Sequence, residues 1–298
     1  MMRSKQFSKN SAKRALLVNS LFIITLITGC SSPPQSNYLK KDIPKVIKTI
    51  AKKELAIEIT CRMVDKTLWI YWPVDNLLEQ LKKPQKYTEK FTLEEDQCEF
   101  KRGTFLITYK IAAITPVEKT QSYGYNKDVL EKVNQLWNVV RRVVFSIDRK
   151  KSIEPEYVVL VVADIKNGFE VKGTCSFLDL KKVSYGFISS EEYQHRSLLE
   201  SSEFMPWIIG DKTGSYLQYR NLTAEDFICR QIEYRIRLKF QKPEVDKNAD
   251  IDKEIEKIVA NTLKIYKFED FNAVELNNLA DKNKSTLNQP AILDKPTQ

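Results

Sequence analysis

Ser190, Glu191, His195 and Arg196 fall within one short stretch, and His195 is the only histidine in the chain. A serine near a histidine is the raw material of nucleophilic acyl transfer. That chemistry also needs the serine exposed on a sharp turn, and no G-x-S-x-G elbow occurs. On a helix Glu191 and His195 stand at i and i+4, the spacing of a simple exposed polar pair. Carboxylates are a second chemical resource, at Glu94-Glu95-Asp96 and at Glu225-Asp226. Hydrolysis of a glycosidic bond needs only two carboxylates at a suitable separation, but such runs are more simply solvated loop charges. No G-x-G-x-x-G or G-x-x-x-x-G-K-[ST] pattern is present among the eight glycines of the chain. No nucleotide or other cofactor is expected, and no catalytic residue is assigned.

Aromatic residues offer binding rather than catalysis. Leu68-Trp69-Ile70-Tyr71-Trp72-Pro73 is the densest aromatic stretch. On a strand Trp69 and Tyr71 face one way, Ile70 and Trp72 the other. One pair could face outward as a patch for a protein or glycan partner, or the strand could be packed between two layers. Phe204-Met205-Pro206-Trp207-Ile208-Ile209, followed by Tyr216 and Tyr219, lies in an irregular segment. There Phe204 and Trp207 read either as an interaction surface or lid, or as a satellite core beneath a long loop.

The first thirty residues carry a different message. Arg3, Lys5, Lys9, Lys13 and Arg14 precede an apolar run from Ala15 to Ile27, and the run closes on Ile27-Thr28-Gly29-Cys30. The layout is that of an export signal, and the run is too short for the roughly 20 apolar residues of a membrane-spanning helix. Ending on a cysteine behind two small residues, it resembles the lipobox of bacterial lipoproteins. The resemblance implies a signal peptide over residues 1–29, removed by a dedicated peptidase. It further implies a diacylglycerol on the thiol of Cys30 and an acyl chain such as palmitate on its amine. Residues 30–41, with Ser31-Ser32-Pro33-Pro34-Gln35-Ser36, then read as a tether. Ser31 rather than aspartate after the cysteine implies, by the same resemblance, an outer-membrane location facing the periplasm.

Removing the signal changes the charge balance. Residues 1–29 hold five Lys or Arg and no Asp or Glu, so the net charge falls from +9 to +4. What remains is mixed in sign and shows no basic stripe, which argues against a nucleic-acid partner. With Cys30 assigned to lipid, Cys61, Cys98, Cys175 and Cys229 remain, an even number in an oxidising compartment. The pairings Cys61–Cys98 and Cys175–Cys229 would each close within one structural unit, and four buried free thiols are the alternative. A metal site is not expected, since the cysteine spacings are long and histidine is nearly absent.

Periodicity places these residues on elements. A helix is predicted over Ile43 to Lys53, capped by Asp42, then strands over Leu55–Arg62 and Thr67–Trp72, the second stopped by Pro73. Val74–Leu81 reads as a short helix, polar residues 82–97 as a loop, and Phe100–Ile114 as a strand irregular at Gly103. Asn126 caps a long helix carrying Val129, Val133, Leu136, Trp137, Val140 and Val144. Tyr157–Ala163 is a continuous apolar run, as in a strand covered on both faces. It is joined through Asn167-Gly168 to Phe169–Phe177 as a hairpin. A capping box at Ser189 and Glu192 opens a helix over Glu191–Leu199. Ile232, Tyr234, Ile236, Leu238 and Phe240 alternate as a half-buried strand. A helix around Ile251–Leu263 and a strand near Phe268–Leu276 follow.

The expected class is α+β, helices packed on mixed, mostly antiparallel sheets. Glu95-Asp96-Gln97-Cys98 resembles Glu225-Asp226-Phe227-Ile228-Cys229, which suggests a duplicated α-β-β-α-β unit, one copy over 42–120 and one over 121–276. Residues 277–298 read as a disordered tail. The function these features point to is a membrane-anchored envelope lipoprotein, a non-enzymatic binding or assembly component held by lipid on Cys30 and engaging an envelope protein. The alternatives are a carboxylate-dependent envelope hydrolase and a solute-binding lipoprotein of a transporter.

Overall fold

A computed structural model describes residues 42–145, 154–202, 204–241 and 245–293. The signal segment, Cys30 and the tether lie outside the described residues. The fold is α+β, with two mixed sheets.

Helix α1 (Ile43–Leu55) starts where Asp42 accepts from the Lys45 amide at 3.1 Å, and it buries Ile43, Ile47, Ile50 and Ala51. It persists through Leu55, so β1 (Thr60–Val64) begins later than alternation alone predicted. Strand β2 (Thr67–Val74) runs through Pro73. Its antiparallel partner β1 reaches only Tyr71, so a residue lacking an amide falls where that edge is open.

The chain then departs from expectation. Strands β3 (Leu78–Lys101) and β4 (Thr104–Tyr125) form one long hairpin in place of the helix over 74–81 and the loop over 82–97. Arg102 and Gly103 both have positive φ at its turn, as a tight two-residue hairpin connection requires. Residues 78–90 carry no strand pattern in sequence because that half of the ribbon is largely exposed and has no core face to fill. Ladder hydrogen bonds and cross-strand pairs, Lys86 with Glu118 at 2.8 Å and Lys119 with Glu89, take the place of apolar alternation.

Helix α2 (Lys127–Phe145) is capped by Asn126, which accepts from the amides of Asp128 and Val129. Every residue of β5 (Tyr157–Asp164) is buried. Strand β6 (Phe169–Ser176), α3 (Phe177–Ser184), α4 (Ser190–Arg196) and β7 (Leu198–Ser201) follow, with Ser189 accepting from the Glu192 amide at 3.0 Å. Residues Ala224–Gln241 form a helix, α5, and not the strand that alternation suggested. Ile228, Ile232, Ile236 and Phe240 recur every fourth residue and are buried, while Tyr234 and Leu238 flank the stripe half-buried. A stripe of period four plus its flank looks like alternation. Helix α6 (Ile251–Tyr266) is capped by Asp250.

Past it, β8 (Ala273–Asn278) pairs with β9 (Asn283–Asn288), and α7 (Gln289–Leu293) buries Ile292 completely. The disordered tail expected over 277–298 is therefore ordered through 293. One apolar anchor and the β8–β9 ladder suffice, although β9 keeps half or more of its residues exposed.

The sheets do not follow the division into 42–120 and 121–276. One has the order β1-β2-β5-β6-β7 and the other β3-β4-β8-β9. Each combines strands from both halves of the chain. A different repeat is present: β2 is parallel to β5 and β4 to β8, and each parallel pair is flanked by antiparallel hairpin partners. The resemblance between the Cys98 and Cys229 segments is not part of it, since Cys98 lies on β3 and Cys229 on α5.

The first sheet packs Leu68, Ile70, Trp72, Val158, Leu160 and Val162 against α1 and α2. Its opposite face, with Trp69, Tyr71, Val159 and Val161, is covered by Ile208, Leu222 and Phe227. The second sheet packs Phe105, Ile107, Ile111 and Val274 against α5 and α6. Among the described residues no helix is long and apolar enough to cross a membrane.

Candidate binding surface

The segment 204–222 crosses the outer face of the first sheet, and strand β2 supplies its foundations. Trp69 Nε1 donates to the Arg220 carbonyl at 2.8 Å, and the Tyr71 hydroxyl donates to the Asp211 carbonyl at 2.5 Å. Thr67 Oγ1 donates to Asn221 Oδ1 at 3.0 Å and accepts from the Leu222 amide at 2.8 Å. The rings interlock edge to face, Trp69 with Tyr219 at 5.6 Å and Tyr71 with Tyr216 at 6.0 Å. Arg62 stands 4.4 Å over the Tyr219 ring. The Tyr216 hydroxyl donates to Glu170, and burial together with that carboxylate pushes its pKa well up.

Asp211 organises the loop from within. Its carboxylate accepts from the amides of Thr213 (2.8 Å), Gly214 (3.0 Å) and Ser215 (2.7 Å) and from the hydroxyls of Thr213 and Ser215, both at 2.9 Å. Burial acts to raise its pKa, but these donors favour the charged form and hold it at about 2. Gly214 has φ +71, and a Cβ there would stand 2.6 Å from the Tyr219 hydroxyl and 2.8 Å from Tyr71 Cγ. Only glycine fits that turn.

The fastened loop presents an apolar edge. Met205 and Gly210 donate backbone hydrogen bonds at 2.8 Å to Gly168 and Ile165, on either side of a 3₁₀ turn over Pro206–Ile208. Ile208 is fully buried, whereas Phe204, Trp207 and Ile209 are 65%, 62% and 51% exposed. Loop residues that shed their apolar surface inward would be a satellite core. These three do not, and exposed apolar side chains this close along one loop are of the kind associated with partner contact.

Trp69, Tyr71 and Trp72, by contrast, are buried, because this sheet is covered on both faces, so they are not a surface patch. A second exposed group, Leu178, Tyr185 and Phe187, was not singled out in the sequence. Tyr185 stacks on Phe145, with centroids 6.0 Å apart, beside Gly186 at φ +76. Two aromatics around a glycine were the available signal.

Ser190, Glu191, His195 and Arg196 share helix α4, while the two acidic runs lie on β3 and at the start of α5. Ser190 Oγ is buried without a hydrogen-bond partner, and Arg196 of the same helix pairs with Asp179 and Glu192. Asp96 is held by Arg237, burial raising its pKa against that pull, and Glu94 pairs with Lys110. Asp226 accepts from the Thr223 amide at 3.5 Å at the start of α5, and with Glu225 and Glu99 it lines a pocket of about 420 Å³. That pocket is also lined by Cys98 and Cys229.

The cysteines do not meet as Cys61–Cys98 and Cys175–Cys229. Cys61 and Cys175 belong to the first core, where burial pushes both thiols up to about 12. Cys98 and Cys229 belong to the second core, where their sulfurs lie 2.7 Å apart. The expected pairing assumed two sequential units, and the interleaved sheets remove that premise. Among the described residues no group of three or more His, Cys, Asp or Glu is placed to hold a metal ion.

No family model matches this chain. Comparison with characterised proteins and with solved structures likewise gives no match. The functional reading therefore rests on the geometry of the loop and on the leader sequence.

Proposed function

We propose that this chain is a lipoprotein of the bacterial cell envelope, tethered through Cys30 to the outer membrane and facing the periplasm. In this reading it works as a non-enzymatic binding or assembly component, and the loop bearing Phe204, Trp207 and Ile209 contacts its protein partner. The observation that carries the reading is a loop fastened by hydrogen bonds that leaves Phe204, Trp207 and Ile209 exposed. Preorganised aromatic residues on a fixed backbone lose little entropy on binding, which is why they dominate interface energetics. The leader ending in Ile27-Thr28-Gly29-Cys30 supports the membrane tether. Asp96 and Glu94 are tied to Arg237 and Lys110, which argues against those two as hydrolytic carboxylates.

Metabolic labelling with a palmitate analogue, followed by membrane fractionation, tests the anchor. Wild type is expected to take up label and sediment with membranes, and Cys30→Ser to lose the label and the membrane association. Unlabelled wild type would remove the anchor from the reading. The contact surface is tested separately, by substituting Trp207 and Phe204 with alanine. Loss of partner binding by at least about tenfold, or about 1.4 kcal/mol, with unfolding behaviour unchanged, is the expected result.

A further inference from the structure

We propose that Cys98 and Cys229 form a disulfide that staples β3 to α5, while Cys61 and Cys175 remain thiols. The two sulfurs already lie 2.7 Å apart, between a strand and a helix that face each other in the second core. Closing to a bond of about 2.05 Å needs only a small movement of the two side chains. Cys61 and Cys175 sit in the other core, and Cys175 is engaged by the Tyr193 hydroxyl.

The staple falls at a mechanically important place. Helix α5 carries Ile228, Ile232 and Ile236 into the second core, and its Phe227 reaches the outer face of the first sheet beneath the aromatic loop. A covalent link at Cys229 therefore holds a helix that reaches the cores of both sheets. A pocket lined by both cysteines together with Glu99, Lys101, Thr223 and Asp226 adjoins the pair.

The step is thiol–disulfide exchange with an external disulfide, either glutathione disulfide or the disulfide of a protein oxidoreductase. One protein thiolate attacks a sulfur of that disulfide and expels a thiolate, giving a mixed disulfide. The second protein thiolate attacks the protein sulfur of that mixed disulfide and expels the other thiolate. The protein gives up two electrons and two protons, the external disulfide is reduced, and two free thiols leave.

In the cell this oxidation rests on the export reading above, but the pairing itself can be tested without it. The purified full chain is reduced, equilibrated with glutathione disulfide, denatured, alkylated and mapped by mass spectrometry. A cross-linked Cys98–Cys229 peptide with alkylated Cys61 and Cys175 is expected. Alkylated Cys98 and Cys229, or any other cross-link, would overturn the pairing. As a second readout, dithiothreitol should lower the melting temperature of the oxidised protein by roughly 5–10 °C. C61S and C175S should keep that response, and C98S and C229S should lack it. If C98S fails to fold, the peptide map and the retained response of C61S and C175S still decide the matter. Trapping thiols in intact cells separates the two ideas: a pair that oxidises in the test tube but stays reduced in the cell supports the pairing and contradicts export.

Discussion

The two sheets share a connectivity and differ in what covers them. In β1-β2-β5-β6 and in β3-β4-β8-β9 a central parallel pair is flanked by antiparallel hairpin partners. The first sheet has helices on one face and the aromatic loop with Phe227 on the other, so β5 is buried throughout. The second has helices on one face only, and β4 alternates between buried and half-buried from Thr104 to Ile111. Covering, more than strand order, decides which sequence pattern a strand carries and which surface remains for a partner. The loop that covers the first sheet is also the element that presents Phe204 and Trp207.

The contrast can be broken most forcefully by placing a carboxylate on corresponding faces. Val159→Asp puts an unpaired charge on the fully buried outer face of the first sheet and should cost more than about 4 kcal/mol, leaving the chain largely unfolded. Thr108→Asp, on the open face of the second sheet, should cost less than about 1 kcal/mol. Urea unfolding of the two variants measures the difference, and equal costs would mean the second sheet is covered too.

Next in size is the Cys98–Cys229 link, which would close a loop spanning 131 positions. Reducing it should destabilise the protein by about 2–5 kcal/mol, read as a shift in the urea midpoint. The covering loop should respond to Gly214→Ala, for which steric conflict with Tyr71 and Tyr219 predicts a loss of about 1–3 kcal/mol. Hydrogen exchange should then quicken in residues 205–222 and stay unchanged in β8 and β9.

The smallest expected effect is that of acid on the same loop. The carboxyl of Asp211 is depressed to about 2 in the folded chain, against 3.8 for the free group. A depressed folded value means that its stabilisation is complete above about pH 4 and is lost as pH falls toward 2. Because Asp211 is only half-buried, the loss should not exceed about 1 kcal/mol after solvent screening. Substituting Asp211 with asparagine should abolish the acid-induced loosening of residues 211–216, as followed by hydrogen exchange.

What could be read from sequence follows the same divide. Helix α2 and strand β5 were legible because each is pressed against apolar neighbours, and the required periodicity is written into Val133–Val144 and Tyr157–Ala163. The ribbon over 78–90 was not, because strands without a core face have no apolar pattern to display. Helix α5 looks like a strand in sequence because its fourfold stripe and half-buried flank together imitate alternation. Order in β9 and α7 depends on pairing with β8, a long-range fact that local composition does not encode. At the site, Phe204 and Trp207 could be singled out, though their outward direction could not. Asp211-Lys212-Thr213-Gly214-Ser215 was a readable turn signal, and Asp211 makes it the clasp of the loop. The meeting of Cys98 with Cys229 depended on topology that no local pattern supplied.

The contact surface can be tested most directly with a photo-crosslinking residue placed in turn at position 207 and at position 275 in living cells. Trp207 lies on the covering loop, and Glu275 is exposed on a strand of the second sheet. A single discrete adduct at 207, lost on Phe204→Ala and absent at 275, is the expected result. No adduct at 207, or equal yields at the two positions, would contradict the proposal that this loop is the binding surface.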